Sequence, residues 1–154
     1  RSGYGGNWDY SADVLNKLCE DGVICGIKEE HSDLQKSYNV LRKLPVELDV
    51  IVAGGSMRRH QFLRSAGANS FLAGIGNLFP AIEEKYVHGR DIDMCLSLES
   101  KLFGVFGKYG WHRSLRIGLA CLGLGCYNDR RPYPKRHDDV VQAIEKIIQE
   151  LADV

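Results

Sequence analysis

The sequence lacks an excess of charge of either sign and lacks a metal-binding cysteine pattern. Twenty basic residues balance twenty acidic ones over 154 residues, which gives no indication of a nucleic-acid or anionic-membrane partner. None of the five cysteines forms a CxxC pair, and the five histidines show no i,i+4 spacing and no Cys/His cluster, so we expect no metal site. No apolar run is long enough to span a bilayer and no signal peptide opens the chain, so we expect a cytoplasmic protein.

The cysteines predict reduced thiols, because their number is odd and three of them, Cys25, Cys95 and Cys121, lie inside apolar patterns. A thiol nucleophile is the alternative, and Cys25 is its best candidate. Cys25 lies in the middle of a predicted strand, where we expect burial to keep the thiol inert.

Three apolar runs have the length of buried strands, and a helical pattern follows each. The strands are expected at 22–27, 48–53 and 68–75, and the helices at 11–19, 34–44, 58–66 and 78–88. This alternation predicts an α/β fold with a parallel sheet and right-handed crossovers. Three further helical patterns, at 92–109, 114–124 and 138–151, follow with no strand between them.

Three strands are few for this amount of helix. In addition, a three-stranded parallel sheet on its own would leave two apolar edges open. The simplest explanation is a (β/α)8 TIM barrel, of about 250 residues when whole, of which this chain is the back part. We therefore expect residues 1–89 to form the last three strand–helix units and residues 90–154 to form a helical extension. Alone, the segment should not make a stable, active monomer.

Lys28 is the most informative single residue. It ends the run Val23–Lys28, and Glu29 and Glu30 come directly after it. A lysine at the C-terminal end of a barrel strand can lose its proton in a closed pocket and attack a ketone to form a Schiff base. The simpler explanation is that Lys28 is the first solvated residue after a buried strand.

Two glycine groups offer a different function, phosphate binding. They are Gly54-Gly55 and Gly74-Ile75-Gly76. Neither is a complete P-loop or dinucleotide fingerprint, which makes this the weaker hypothesis.

Several segments, in order and at fitting spacings, resemble the dihydrodipicolinate synthase / N-acetylneuraminate lyase family. The first is Gly26-Ile27-Lys28-Glu29 followed by Ser32-Asp33-Leu34, which is similar to the family's GIKE-x-SGDL run. The others are a glycine turn, a GA-G-IS-like strand, an N-x-x-P helix start and an R-P ending, at 52–55, 67–72, 77–80 and 131–132. The resemblance covers nearly the whole chain and is to the C-terminal half of the family.

The resemblance implies that the three strands are the sixth, seventh and eighth of the barrel and that Lys28 is the Schiff-base lysine. Gly54 and Gly55 would shape the pocket wall, and Leu72 would pack over the bound keto acid. The family's proton-shuttling tyrosine falls immediately before Arg1 in an ungapped count, and Tyr4 fills the role if the intervening loop is three residues shorter.

The activity implied by the resemblance is that of a Schiff-base lyase acting on pyruvate or a sugar-derived 2-keto acid, with no cofactor. The synthase arginine for a second carboxylate falls near Gly5, so an aldolase or dehydratase is as open as a synthase. The alternative is a degenerate barrel that binds a ligand or partner without turnover. Family members are commonly tetramers and the helix at 114–124 is strongly apolar, so we expect a homo-oligomer once the N-terminal half is present. Asn77 lies where the chain turns into the last barrel helix, at 78–88, and we expect it to be the N-cap of that helix.

Overall fold

A computed structural model describes residues 10–54, 56–127 and 138–152. The chain forms two compact units, which divide between Ala73 and Gly74. The division expected at residue 89 is a different one, between the strand–helix units of a barrel and the helical extension, and it stays a prediction.

The first unit contains a sheet of three parallel strands in the order β1-β2-β3. Its elements are α1 (Ala12–Glu20), β1 (Gly26–Glu29), α2 (Leu34–Leu41), β2 (Asp49–Val52), α3 (Ser56–Leu63), a 3-10 turn (Arg64–Ala66) and β3 (Ser70–Phe71). The predicted α/β class and the parallel, adjacent pairing of the three strands are confirmed.

Local sequence signals account for the helix ends of this unit. The side chain of Ser11 accepts a hydrogen bond from the backbone N–H of Val14, and Asp33 does the same for Lys36 at the start of α2. Gly67, at φ 113°, ends the turn after α3 in the left-handed region that favours glycine. These caps fix the points at which each chain segment enters or leaves the sheet.

One face of the sheet is covered by helices. Val50 and Val52 of β2 lie in a core with residues of α2 and of the segment after α3, and Ile27 and Phe71 pack against it. The register pairs Ile27 with Val50 and Val52 with Phe71. Because side chains alternate along a strand, the residues between these belong to the opposite face.

The first strand is shorter than expected. Gly22, at φ 68°, donates its N–H to Cys19 O, and Val23 donates to Leu18 O, so this segment closes the end of α1 instead of entering the sheet. Val23 is 66% exposed and Cys25 is also exposed. The expectation that Cys25 is buried within a strand is therefore wrong. The third strand is also shorter, at two residues.

The second unit is helical after a 3-10 turn at Ile75–Asn77. Its helices are α4 (Pro80–Val87), α5 (Ile92–Tyr109), α6 (Trp111–Cys121) and α7 (Asp138–Ala152). α5, α6 and α7 pack against one another around buried apolar side chains that include Leu102, Phe106, Ile117, Ile144 and Ile148. Among the described residues, no helix combines the length and the apolar character needed to cross a membrane.

Asn77 does not cap α4. Its side-chain amide donates to Gly74 O at 3.3 Å within the 3-10 turn, and Phe79 takes the N-cap position without a side-chain bond. Pro80 at the first helical position starts α4, as its fixed φ favours. The N-cap prediction for Asn77 is therefore wrong, while the helix start at Pro80 is confirmed.

Candidate active site

Lys28 is the third of the four residues of β1, next to the C-terminal end of the strand. It pairs in register with Ile51, and Ile51 pairs with Ser70. These three residues alternate with those that face the helices, so they form one row on the opposite face of the sheet. In a closed barrel the face without helices is the interior, and catalytic residues project at the carboxyl ends of the strands.

The amine of Lys28 is held by a carboxylate. Lys28 Nζ lies 2.9 Å from Glu30 Oε2, and the lysine side chain is 52% exposed whereas that of Glu30 is 17% exposed. Residues two apart on an extended chain project to the same side, which places Glu30 beside Lys28. The paired group is thus a half-exposed ammonium on a largely buried carboxylate.

Gly54 makes room for this carboxylate. It has φ 67°, and a Cβ added there would meet Glu30 Cγ at 3.1 Å and Glu30 Oε1 at 3.4 Å. The group that approaches the Gly54 backbone closely is therefore the Glu30 side chain of this same chain. Its role in shaping a ligand pocket stays a prediction, and Gly55 lies outside the described residues.

Leu72 directly follows β3, and its backbone N–H donates to Val52 O at 2.8 Å, which continues the ladder by one bond. By alternation from Phe71 it belongs to the face of Lys28, and it is 52% exposed. Its expected contact with a keto acid stays a prediction. Tyr4 lies outside the described residues.

An open cavity of about 340 Å³ borders Lys28. The other residues that line it are mostly apolar and come from α1, from the chain just before α1 and from β1 with the segment leading into it: Tyr10, Leu15, Leu18, Ile24 and Ile27. The cavity therefore offers an apolar surface beside β1.

Behind Lys28, on the helix-facing side, lies a buried polar cluster formed by Glu29, Ser37 and Arg59. Glu29 is fully buried, and its Oε1 accepts hydrogen bonds from Ser37 Oγ at 2.8 Å and from the backbone N–H of His31 at 2.9 Å. Arg59 Nη2 lies 4.0 Å from the same oxygen and donates to His31 O and, at 3.3 Å, to Ser37 Oγ. Both backbone polar groups of His31 are thereby held.

The charge of this cluster is balanced inside the protein. Burial lowers the pKa of Arg59 from its usual value, and the carboxylates of Glu29 and Glu30 act in the opposite direction. The guanidinium of Arg59, on α3, therefore interacts with both carboxylates that follow Lys28. Through its hydrogen bonds to His31, the cluster also holds the loop that begins at Glu30.

Glu30 and Arg59 are the residues that sequence reasoning missed. The pair Glu29-Glu30 directly after a buried strand was visible, since two carboxylates there need partners. Arg59 carried no such signal, because it lies on α3, 30 residues after Glu29, and no local sequence pattern links the two positions.

At the second glycine group considered for phosphate binding, Gly74-Ile75-Gly76, side chains of this chain approach both glycines closely. A Cβ at Gly74 would meet the ring of Trp111 at 1.8 Å, and one at Gly76 would meet Glu83 Oε2 at 1.6 Å. Burial raises the pKa of Glu83, and a hydrogen bond from the Gly76 backbone acts against that rise. An aromatic ring and a carboxyl group stand where a phosphate would have to approach. Among the described residues, no group of three or more His, Cys, Asp or Glu side chains could hold a metal ion.

The first unit is thus a parallel α/β sheet with Lys28 near the C-terminal end of a strand, on the face opposite the helix-packed core. Comparison with solved structures shows which known folds the chain resembles. A 4-hydroxy-tetrahydrodipicolinate synthase from Methylacidiphilum fumariolicum is 20% identical with a TM-score of 0.76, over 94% of this chain and 50% of that one. A dihydrodipicolinate synthase from Oceanobacillus iheyensis is 22% identical with a TM-score of 0.76, over 94% and 51%. An N-acetylneuraminate lyase from Aliivibrio salmonicida is 15% identical with a TM-score of 0.73, over 97% and 51%.

The chain thus resembles dihydrodipicolinate synthases and N-acetylneuraminate lyase in fold, which confirms the resemblance inferred from its motifs. It spans about half the length of these solved structures, which is consistent with their C-terminal half. No protein-family model matches the chain. No curated protein matches it either.

Proposed function

We propose that this chain is the C-terminal part of a (β/α)8 barrel and that it forms a Schiff base through Lys28 with pyruvate or a sugar-derived 2-keto acid. The observation that carries the proposal is the position of Lys28, near the C-terminal end of β1 and on the face opposite the helix-packed core. That is where a barrel presents its catalytic residues. The fold shared with a synthase and a lyase supports an enzyme of the lyase type.

The chemistry follows from the amine. The neutral amine of Lys28 attacks the ketone, and loss of water leaves a protonated imine. This cation withdraws electrons from the neighbouring carbon, so that a proton or a carbon group leaves that carbon as an enamine forms. No cofactor is needed. A phenol carries protons in this scheme, supplied by Tyr4 or by a tyrosine immediately before Arg1.

The pocket around the amine would be completed by Gly54, Gly55 and Leu72. Leu72 belongs to the face of Lys28 and is half exposed, so it is available to contact a ligand. Gly54 already accommodates one side chain within van der Waals distance, which supports its role in the wall.

The remaining strands of the barrel would come from an N-terminal segment of the same gene product. β1 and β3 are the outer strands of the described sheet, and a closed barrel leaves no free edge. We further propose a cytoplasmic homo-oligomer. This proposal rests on the strongly apolar sequence pattern at 114–124.

The second candidate is a degenerate barrel that binds a ligand or a partner without turnover. It is favoured by the ion pair of Lys28 with Glu30, because an ammonium held by a carboxylate is not yet a nucleophile. The two candidates differ in turnover and agree in binding.

The test is Lys28→Arg in the full-length protein, assayed with pyruvate and with sugar-derived 2-keto acids. Arginine keeps the charge but cannot form the imine, so turnover should vanish while the circular dichroism spectrum is retained. Lys17→Arg is the matched control, since Lys17 lies on α1 with its side chain 67% exposed and pairs with Asp21. Turnover that survives in Lys28→Arg would contradict the proposal, and binding without turnover in the wild type would establish the second candidate.

A further inference from the structure

We propose that Glu30 is a second catalytic residue, which takes the proton from the Lys28 ammonium before attack on the ketone and returns it to the departing hydroxyl. This inference rests on the proposed function, because it assigns a partner to the Schiff-base lysine. It is carried by the direct contact of Glu30 with the reacting nitrogen, at 2.9 Å.

The two oxygens of the Glu30 carboxylate have different neighbours. Oε2 contacts Lys28 Nζ, whereas Oε1 lies 3.4 Å from the place of a Cβ at Gly54. A residue with a side chain at position 54 would push against Glu30, so the glycine lets the carboxylate reach the amine. Glu30 is therefore seated between the lysine and a backbone turn, with its side chain only 17% exposed.

The buried cluster on the other side of the chain fixes the backbone around Glu30. Glu29, directly before it, is held by Ser37, and His31, directly after it, is held through both its N–H and its C=O. A carboxylate whose neighbours in the chain are anchored in this way keeps its position when the lysine changes charge. Catalytic acids and bases need that positioning within hydrogen-bond distance.

The proton balance of imine formation needs one group that first accepts and then donates. Proton transfer from the ammonium to Glu30 gives a neutral amine and a carboxylic acid. The amine adds to the ketone, and a proton moves from nitrogen to oxygen to give the carbinolamine. Glu30 then protonates the hydroxyl, the C–O bond breaks with loss of water, and the products are a cationic imine and the carboxylate. The ion pair seen with the ammonium is thus restored with the imine.

The experiment measures the rate at which the Lys28 imine forms in the full-length protein. Pyruvate is mixed with the protein, the imine is reduced with borohydride at timed intervals, and the Lys28 peptide is quantified by mass spectrometry. Glu30→Gln keeps the shape but cannot accept the proton, so the rate should fall on the order of a hundredfold, a usual size for general acid–base catalysis. Glu30→Asp should restore most of the rate. Asp21→Asn, which removes the carboxylate of the exposed Lys17 pair, is the control and should leave the rate unchanged.

A second measurement needs no variant and no turnover. Treating the wild type with a carbodiimide should join Lys28 to Glu30 by an amide, since a carboxylate and an amine in contact condense with loss of water. Presence of that cross-link and slow imine formation in Glu30→Gln would support the inference. Absence of the cross-link, or an imine that forms at the same rate in Glu30→Gln, would overturn the inference alone. No imine at Lys28 in the wild type would overturn the proposed function, and the inference with it.

Discussion

Replacing Arg59 with methionine removes the cation that faces the buried carboxylate of Glu29. The two charges are 4.0 Å apart, and Glu29 is fully buried while the side chain of Arg59 is 8% exposed. At an effective dielectric constant of about 20, a pair at this distance contributes about 4 kcal/mol. The expected loss of unfolding free energy is about 3–5 kcal/mol, as found when one partner of a buried pair is removed. Against a total of about 5–15 kcal/mol, this is a large share.

The assay is urea unfolding of the full-length protein, arranged as a double-mutant cycle. Glu29→Gln in the Arg59→Met background should recover much of the loss, because glutamine can still accept from Ser37 and from His31 without leaving a charge unpaired. Asp21→Asn, at an exposed pair, should cost no more than about 1 kcal/mol. The buried ion pair would not stabilise this unit if Arg59→Met lowered the free energy of unfolding no more than Asp21→Asn does. The same conclusion would follow if the effects of Arg59→Met and Glu29→Gln on that free energy were additive.

Three further results are expected from single positions. Gly54→Ala should lower the free energy of unfolding in urea by more than Gly22→Ala does. Both glycines have φ near 67–68°, so both substitutions carry a backbone strain of about 1–2 kcal/mol, but only Gly54 has a glutamate side chain against it. Equal losses in the two variants would contradict that contact. Burial lowers the pKa of His60 from its usual 6.5, so the unfolded chain takes up a proton before the folded protein does as the pH falls. The wild type should therefore lose unfolding free energy relative to His60→Gln below about pH 6.5 but not at pH 8. Curves of unfolding free energy against pH that stay parallel for the two proteins would oppose this. Maleimide should label Cys25 within seconds and Cys95 only on unfolding, because Cys25 is exposed whereas Cys95 is buried with a raised thiol pKa; equal rates would refute that difference.

The periodicity of apolar residues predicted most of the fold. The long helix α5 has the predicted bounds, and α1, α4 and α7 lie within one or two residues of them. Strand order and parallel pairing followed from strand–helix alternation, which depends only on local pattern and on the handedness of crossovers. The strand ends were less accurate. Whether residues 22–24 pair in a sheet depends on their hydrogen bonds back to α1, and the apolar composition of the run does not predict those bonds.

Only part of the candidate site was predicted, because a local sequence pattern shows where an element ends but not which distant residues contact it. Lys28 was placed at the end of a parallel strand because the apolar run ended there, and its position near the end of β1 agrees. The contact of Glu30 with Lys28 is local, whereas the room for Glu30 at Gly54 and the support from Arg59 required segments distant in sequence to meet. Contacts between distant segments are decided by packing of the whole unit, which a single sequence does not display.

The measurement that tests the central claim most directly is the site of borohydride reduction in the full-length protein. The protein is incubated with pyruvate, and then with longer 2-keto acids, in the presence of borohydride and is digested for peptide mapping. The account predicts that the reduced ligand is attached to Lys28 and that the label disappears in Lys28→Arg. Label on another lysine, or no label with any of these 2-keto acids, would contradict the account.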